Sequence, residues 1–306
     1  MGLVEAIILA VLAASTPLLL AAAGELVVER AGVLNLGVEG MMIMGAACAF
    51  GGAWFTGSTA VGALCGIAAG VGMAAIFAVL TLGLAVNQVA TGLALTILGV
   101  GLSGLIGAGF VGEKIASAAH LSVPVLTDLP FVGRILFGQD AFVYLSVALI
   151  AGIWWFLYST RAGLVLRAVG ENHASAHALG HPVLKIRAAA VLFGGACAGL
   201  GGAYLPLAYT PFFIPGMTAG RGWIALALVV FASWLPGRLM VGAYLFGAVT
   251  ILQLHAQGAG FGIPSQLMSS LPYLATIVVL VMISRARATA GSAAPQSLGL
   301  VFVPDR

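Results

Sequence analysis

The stretch GELVVERAGVLNLGVEG, residues 24–40, gathers carboxylates, an amide and a guanidinium inside an otherwise apolar chain. Glu25 and Glu29 are four residues apart, as are Asn35 and Glu39, so each pair would share one face of a helix. The glycines of AGVLNLG can interrupt that helix. Groups of this kind could take up a proton, hydrogen-bond a solute, or pair with donors of the protein itself.

The elements that position these groups are membrane helices. Of 306 residues, 61% are hydrophobic and 7% are charged, and the mean hydropathy is +1.14, far from the values of soluble domains. A spanning helix of about 20 residues satisfies its own backbone groups in lipid. We therefore expect an all-α integral membrane protein, a polytopic bundle surrounded by lipid. The small net charge of +3 gives no reason to expect a nucleic-acid partner.

The apolar runs predict about nine transmembrane helices, which lie at 3–23, 36–55, 59–84, 88–110, 141–158, 188–209, 222–235, 239–256 and 271–284. An odd number places the two termini on opposite sides. With a cytoplasmic C-terminus, nine of the twelve Lys and Arg residues fall inside, as the positive-inside rule favours. We expect one transmembrane domain over 1–285, with an extracytoplasmic N-terminus.

Four polar or proline-rich segments interrupt or follow these runs. Residues 111–140 are expected outside the cell and residues 159–187 inside it. Residues 286–306 are expected to form a mostly disordered cytoplasmic tail, since they have little capacity to form a core. In residues 206–223, Pro211 and Pro215 disfavour a continuous span. We expect them to bend back at the outer surface, as a gate, a receptor-docking surface or a packed loop.

The interrupted stretch has two interpretations. Broken helices in transporters expose backbone ends beside the substrate, which makes Asn35 and Glu39 candidates for lining a path. Alternatively, Glu25, Glu29 and Arg30 hold a short turn between the first two spans, and Glu39 pairs with a buried donor.

Asn87 and Gln88 lie between the third and fourth spans and also have two interpretations. Their amides are suited to capping that turn. They could equally hydrogen-bond a solute near the path.

The inner segment contains the start and stop signals of one short helix in ENHASAHALGHP. Asn172 is a candidate N-cap, Gly180 suits a left-handed C-terminal cap, and Pro182 prevents continuation. A helix this short cannot span, so we expect it to lie at the membrane surface.

Three stretches resemble one family. LRAVGENHASAHALGHPVLKIR resembles the loop that holds the coupling helix in permease subunits of bacterial ATP-binding-cassette (ABC) importers. GELVVERAGVLNLGVEGMMIMGA and VNQVATGLALTILGVGL resemble two motifs of the branch that carries simple sugars and nucleosides, within the branched-chain amino acid and ribose-type permease superfamily. The resemblance covers residues from about 20 to 285 and is strongest to nucleoside-type permeases.

The candidates for lining the solute pathway are Asn35, Glu39, Asn87 and Gln88. The resemblance implies that the stretch 24–40 is central in the bundle, which favours this role for Asn35 and Glu39. By the same resemblance, coupling to the ATPase would involve Arg167, Gly170, Glu171, Asn172, Ala178 and Gly180, with residues 171–180 seated in a groove of that subunit.

The resemblance also implies partners: an ABC ATPase subunit, a second permease subunit in a heterodimer, and an extracytoplasmic solute-binding lipoprotein. The two lysines, Lys114 and Lys185, do not follow glycine, so the chain has no P-loop. We expect ATP and Mg²⁺ on the partner ATPase and no cofactor on this chain, which is then not an enzyme.

The sequence departs from the family pattern at His173 and His181, where the family has proline and an aliphatic residue. With His177 they are four residues apart on one helical face. A zinc site needs three or four organised ligands. We expect an exposed face with incidental histidines and no metal.

Two functions therefore compete. The first is an importer permease in the bacterial plasma membrane for a small neutral solute, with a nucleoside expected from the resemblance. The second is a secondary transporter in which protonation of Glu29 or Glu39 couples uptake to a proton gradient.

Overall fold

A computed structural model describes residues 2–121, 127, 132–258, 267, 270, 271, 274, 277, 278, 281 and 294–304. These residues form eleven α-helices: α1 (Leu3–Arg30), α2 (Val38–Thr56), α3 (Thr59–Ala78), α4 (Gln88–Gly107), α5 (Val132–Phe137), α6 (Ala141–Ser159), α7 (Arg161–Glu171), α8 (His173–Ala178), α9 (Val183–Tyr204), α10 (Arg221–Phe231) and α11 (Pro236–Gly258). Single π-helical turns at Val79–Gly83 and Leu205–Tyr209 extend α3 and α9.

The expected all-helical fold is confirmed for the described residues, which show three isolated β-bridges and no strand. Seven of their helical segments are long and apolar enough to cross a membrane. The count of about nine is not confirmed. The predicted span 222–235 is the 11-residue helix α10, too short to cross a bilayer. Most of 271–284 lies outside the described residues.

Helix α1 is longer than its apolar run, continuing from the predicted end at residue 23 to Arg30. Glu25, Glu29 and Arg30 therefore belong to a helix and not to a turn. The apolar run ends before the first charged residue of this stretch, Glu25. The helix continues because glutamate and arginine are good helix formers.

The bundle has two ends. The end called here the lower face holds Arg30, the α3–α4 connection, α7 and α8. The upper face holds the α2–α3 turn and residues 111–121, whose Ala118 N–H donates to the Leu207 carbonyl at 2.7 Å. The segment 159–187 contains two helices on the lower face, α7 and α8, where the sequence predicted one.

Glycines bring α2, α3 and α9 into backbone contact. The sequence contains two G-x-x-x-G pairs, a pattern typical of closely packed membrane helices: Gly66 and Gly70 in α3, and Gly195 and Gly199 in α9. A Cβ added to Gly70 of α3 would lie against the carbonyl oxygen of Gly195 and 2.8 Å from the Cα of Gly199, both on α9. A Cβ added to Gly45 of α2 would also lie against the backbone of Gly199, 2.6 Å from its Cα. These three helices are the tightly packed centre of the fold.

Residues 210–220 turn back at the upper face, where Phe213 and Phe212 form isolated β-bridges with Val111 and Lys114, but they do not stay at that surface as predicted. They run down along α2 into the bundle: the Phe213 ring lies 6.3 Å from that of Phe50, and Met217 packs in a cluster with Ile43 and Ala46. The prolines prevent a helix here, but Phe213 and Met217 are buried against α2, while Phe212 and Ile214 are exposed. The half-length helix α10 therefore begins inside the bundle.

The C-terminal tail also differs from its prediction. Residues 294–304 pack on the lower face, where the Ser297 N–H donates to the Gly170 carbonyl at 2.9 Å. Ser297 is 4% exposed. The composition is poor in core residues, but the tail adds to a core made by other elements.

Gly70→Ala is expected to destabilise the bundle by about 1–3 kcal/mol, because the new methyl group meets the backbone of α9. The midpoint of thermal unfolding in detergent measures the effect. Gly72→Ala is the matched control, two residues along the same helix, where a Cβ has no neighbour within 4 Å in the described part of the chain. Equal midpoints for the two variants would contradict the close approach of α3 and α9.

Candidate solute pathway and coupling surface

The turn between α1 and α2 uses side chains as acceptors for its backbone. The Leu34 N–H donates to Oε1 of Gln88 at 2.8 Å, and the Asn35 N–H donates to Oε1 of Glu25 at 3.3 Å. Oδ1 of Asn35 in turn accepts from the Gly37 N–H at 2.9 Å. Because lipid offers no acceptor, a helix interrupted in the bundle needs such internal partners.

Glu39 caps the start of α10 from the neighbouring helix. Its Oε1 accepts from the Thr218 hydroxyl at 2.6 Å and from the Gly220 N–H at 2.9 Å. Its Oε2 accepts from the Gly222 N–H at 2.6 Å. A carboxylate at a helix N-terminus also interacts favourably with the helix dipole. The alternative in which Glu39 pairs with a buried donor is the arrangement observed.

Helix α4 closes the other side of the turn. A Cβ on Gly92 would lie 2.7 Å from the backbone nitrogen of Leu36, and the Thr96 hydroxyl donates to the Leu36 carbonyl at 3.1 Å. Close contact continues between Gly40 and Gly99. The turn is therefore enclosed between α4 and the start of α10.

Three of the four predicted pathway residues come together at this turn. Asn35, Glu39 and Gln88 are all buried. Asn87 is exposed and its Oδ1 accepts from the Ala90 N–H at 3.0 Å, which confirms that it caps α4. We call the group formed by residues 31–39, Gln88 and residues 218–222 the broken-helix site.

One donor at this site has no partner. Nε2 of Gln88 is buried, and no described residue accepts a hydrogen bond from it. Its Oε1 is already fixed by Leu34. Because a buried amide N–H without an acceptor is costly, this group is the one most suited to a bound solute or water.

Glu29 and Arg30 hold a different connection from the one predicted. The indole N–H of Trp234, between α10 and α11, donates to Oε2 of Glu29 at 2.5 Å. The Arg30 guanidinium donates to the Trp234 carbonyl at 2.8 and 3.1 Å. Ser233 and Trp234 both have left-handed backbone conformations, with φ of 55° and 57°. No local pattern predicts this contact, because it joins residues 204 and 205 positions apart.

The predicted short helix on the lower face is present as α8, with both of its caps. Oδ1 of Asn172 accepts from the Ser175 N–H at 2.9 Å. Gly180 has φ of +85°, the left-handed conformation predicted for its cap. The predicted N-cap and C-terminal cap are therefore confirmed.

The predicted coupling residues fall into an outer and an inner group. Glu171, Asn172, Ala178 and Gly180 are exposed. Gly170 is buried so closely against α1 that a Cβ there would meet the Arg30 carbonyl oxygen. Arg167 is partly buried, with its guanidinium 5.0 Å from the centre of the Tyr158 ring. The four exposed residues are accessible to a partner. Gly170 and Arg167 instead connect α7 to α1 and α6.

The Arg187 side chain is buried and joins several elements of the structure. The sequence predicted only a positive charge on the cytoplasmic side. Its Nε donates to the Ala31 carbonyl at 3.1 Å and its Nη1 to the Leu300 carbonyl at 3.0 Å. Its Nη2 lies 3.2 Å from Nδ1 of His173. Burial, and then the nearby guanidinium, lower the pKa of His173, which favours the neutral ring that accepts this bond. Arg187 thereby connects α1, α8 and the tail.

The three histidines do not share one site. His173 and His177 both pack against the Phe302 ring, with centroids 5.1 and 5.3 Å apart. His181 instead lines an apolar cavity of about 850 Å³ between α6 and α9. Among the described residues there is no group of three metal-ligating side chains.

The structure combines long apolar helices with a break whose backbone groups bond to side chains of the protein, and one face carries an exposed, capped helix. This combination is typical of a membrane permease. The chain belongs to the family of permease components of branched-chain amino acid transport systems, whose family model matches residues 7–284. It is therefore a multi-pass membrane protein and a transport component.

Several relatives of this chain are named as ABC transporter permeases. A putative glucose permease of Haloferax volcanii, TsgC13, is 45% identical over 87% of this chain and 88% of its own length. The nucleoside permease NupC of Lactococcus lactis is 34% identical over 88% of this chain and 89% of its own. The guanosine permease NupQ of Bacillus subtilis is 31% identical over 96% of this chain and 97% of its own. The expected family is thus confirmed.

Glu39→Gln is expected to lower the free energy of unfolding by about 1–3 kcal/mol, because an amide nitrogen cannot accept from a backbone N–H of α10. Unfolding in detergent, followed by tryptophan fluorescence, measures the change.

Glu113→Gln is the control for loss of one negative charge, since Glu113 is exposed on the upper face. It is expected to change the same quantity by less than about 0.5 kcal/mol. A similar loss at both positions would argue against the capping role of Glu39.

Proposed function

We propose that this chain is the transmembrane permease subunit of an ABC importer and forms, with a second permease subunit, the path for a small neutral solute. The observation that carries the proposal is the capped helix α8, which is exposed at its outer residues and joined to α1 through Gly170 and Arg187. A movement imposed on α8 by a partner would thereby reach the α1–α2 turn.

The ATPase subunit is proposed to bind α8 and to carry ATP and Mg²⁺, which places the lower face in the cytoplasm. A solute-binding lipoprotein is proposed to deliver solute at the upper face, where residues 111–121 and 207–213 pack together. The absence of a P-loop motif from the sequence supports a separate ATPase.

We propose a nucleoside as the solute, with a simple sugar as the second candidate, because the relatives named above include permeases for both. The guanidiniums beside the turn, those of Arg30 and Arg187, donate to backbone carbonyls. A neutral solute fits this arrangement better than an anion, and the free amide N–H of Gln88 can donate to a hydroxyl or a base edge.

The proton-coupled alternative is not favoured. Both oxygens of Glu39 accept hydrogen bonds from the start of α10, and Oε2 of Glu29 accepts from Trp234. These carboxylates already stabilise two connections of the bundle. The family match also favours transport driven by ATP.

Purified chain in proteoliposomes is expected to show no uptake, with or without a proton gradient. Uptake is expected only when the ATPase, the second permease and the receptor are added together with ATP. Labelled guanosine and labelled glucose, each in competition with the other, identify the solute class. Uptake by the chain alone in response to a proton gradient would contradict the importer proposal.

Gly180→Val is expected to reduce solute uptake per ATP hydrolysed at least severalfold. A β-branched residue tolerates the left-handed conformation poorly, which displaces the end of α8. The measurement is uptake and hydrolysis in the same proteoliposome preparation.

Gly57→Val is the matched control. Gly57 ends α2 on the upper face with φ of +68°, and a Cβ at either glycine has no neighbour within 4 Å among the described residues. The two variants should lose similar stability, while uptake per ATP falls only for Gly180. Equal coupling in both variants would remove α8 from the mechanism.

A further inference from the structure

The C-terminal segment 294–304, called here the strap, is hydrogen-bonded to the end of α7 and to the broken-helix site. Its Ser297 N–H donates to the Gly170 carbonyl at 2.9 Å. Its Gly299 N–H donates to the Gly32 carbonyl at 3.2 Å. The strap therefore bridges the end of α7 and the α1–α2 turn.

The strap also covers one side of α8. Oγ of Ser297 accepts from the His173 N–H, the first residue of α8, at 3.2 Å. The Phe302 ring packs on His173 and His177 and joins a buried cluster that includes Ala176. The inward side of the strap thus completes the packing of a helix that has only six residues.

The outward side of the strap is apolar and uncovered. Leu300, Val301 and Val303 are 53%, 41% and 39% exposed, while Phe302 between them points inward. Leu179, which follows α8, is 79% exposed. Apolar side chains grouped on one aqueous surface typically mark an interaction site.

We propose that the strap is a second docking element for the ATPase subunit and that Val301 and Val303 enter the same interface as α8. This inference rests on the importer function proposed above. The strap lies directly against α8, so a subunit that binds α8 reaches it without further movement. Its sequence APQSLGLVFVP has no lysine or arginine, the residues that would attract a segment to an anionic lipid surface.

The consequence is a two-point contact. The ATPase would move α8 and the strap together, and the strap would carry the motion to Gly32 through its backbone hydrogen bond. The ATPase is thereby connected to the broken-helix site by a route besides the α7–α1 contact.

The test is cysteine labelling of the full chain in lipid nanodiscs by a membrane-impermeant maleimide, with and without the ATPase subunit. Val301→Cys and Val303→Cys report on the strap, and Ala178→Cys reports on α8. Val111→Cys, exposed on the upper face, is the control for unrelated effects, and the unsubstituted chain gives the background from its three native cysteines.

The ATPase is expected to slow labelling at 178, 301 and 303 by about tenfold or more and to leave 111 unchanged. Protection at 178 without protection at 301 and 303 would overturn the strap inference and leave the importer function standing. No protection at 178 would overturn both. Protection at 301 and 303 in nanodiscs before ATPase is added, but not in detergent, would assign the strap to the membrane and overturn the inference.

A second measurement does not depend on introduced cysteines. Val301→Ser with Val303→Ser is expected to weaken ATPase binding to the intact permease about tenfold, since two apolar contacts are lost. Val111→Ser with Leu121→Ser makes the same chemical change on the upper face and should leave affinity unchanged. Unchanged affinity in the strap variant, with normal thermal stability, contradicts the proposal.

Discussion

The structure depends on one constraint: a backbone that stops being helical inside a bilayer must find hydrogen-bond partners within the protein. Two such breaks occur in the part of the chain that the structure describes, at residues 31–37 and at residues 210–220. Side-chain oxygens of Glu25, Gln88 and Asn35 serve the first break. The carboxylate of Glu39 serves the second. The polar residues of the most charged stretch in the chain are thus explained chiefly by the backbone they stabilise.

In the proposed function, structure and transport use the same residues. The breaks leave backbone ends inside the bundle, and the acceptors that stabilise them surround the proposed solute path. Under that proposal Gln88 serves both functions, since its Oε1 accepts from the turn and its Nε2 has no acceptor among the described residues. A site built in this way can be rigid without the ligand and still offer it a donor.

Features encoded locally were predictable from the sequence. The caps at Asn87, Asn172 and Gly180 depend on neighbours within three or four residues, and the glycine pairs of α3 and α9 follow a simple spacing. Long-range contacts were not predictable. The Glu39 carboxylate accepts a hydrogen bond from the Gly222 N–H, 183 positions away in the sequence. The Arg187 guanidinium donates to the Leu300 carbonyl, 113 positions away. The strap and residues 210–220 pack against helices that are distant in the sequence. The composition of each segment alone does not reveal those surfaces.

The glycine contacts among α2, α3 and α9 have a dynamic consequence. Where backbones touch with no side chains between them, one helix cannot rotate or slide past another without a clash. These three helices are expected to move as one rigid body during a transport cycle. Any alternation of access must then arise at their borders, for example at α6, whose buried face carries the larger side chains of Phe142, Ile150 and Ile153 and which can change its tilt.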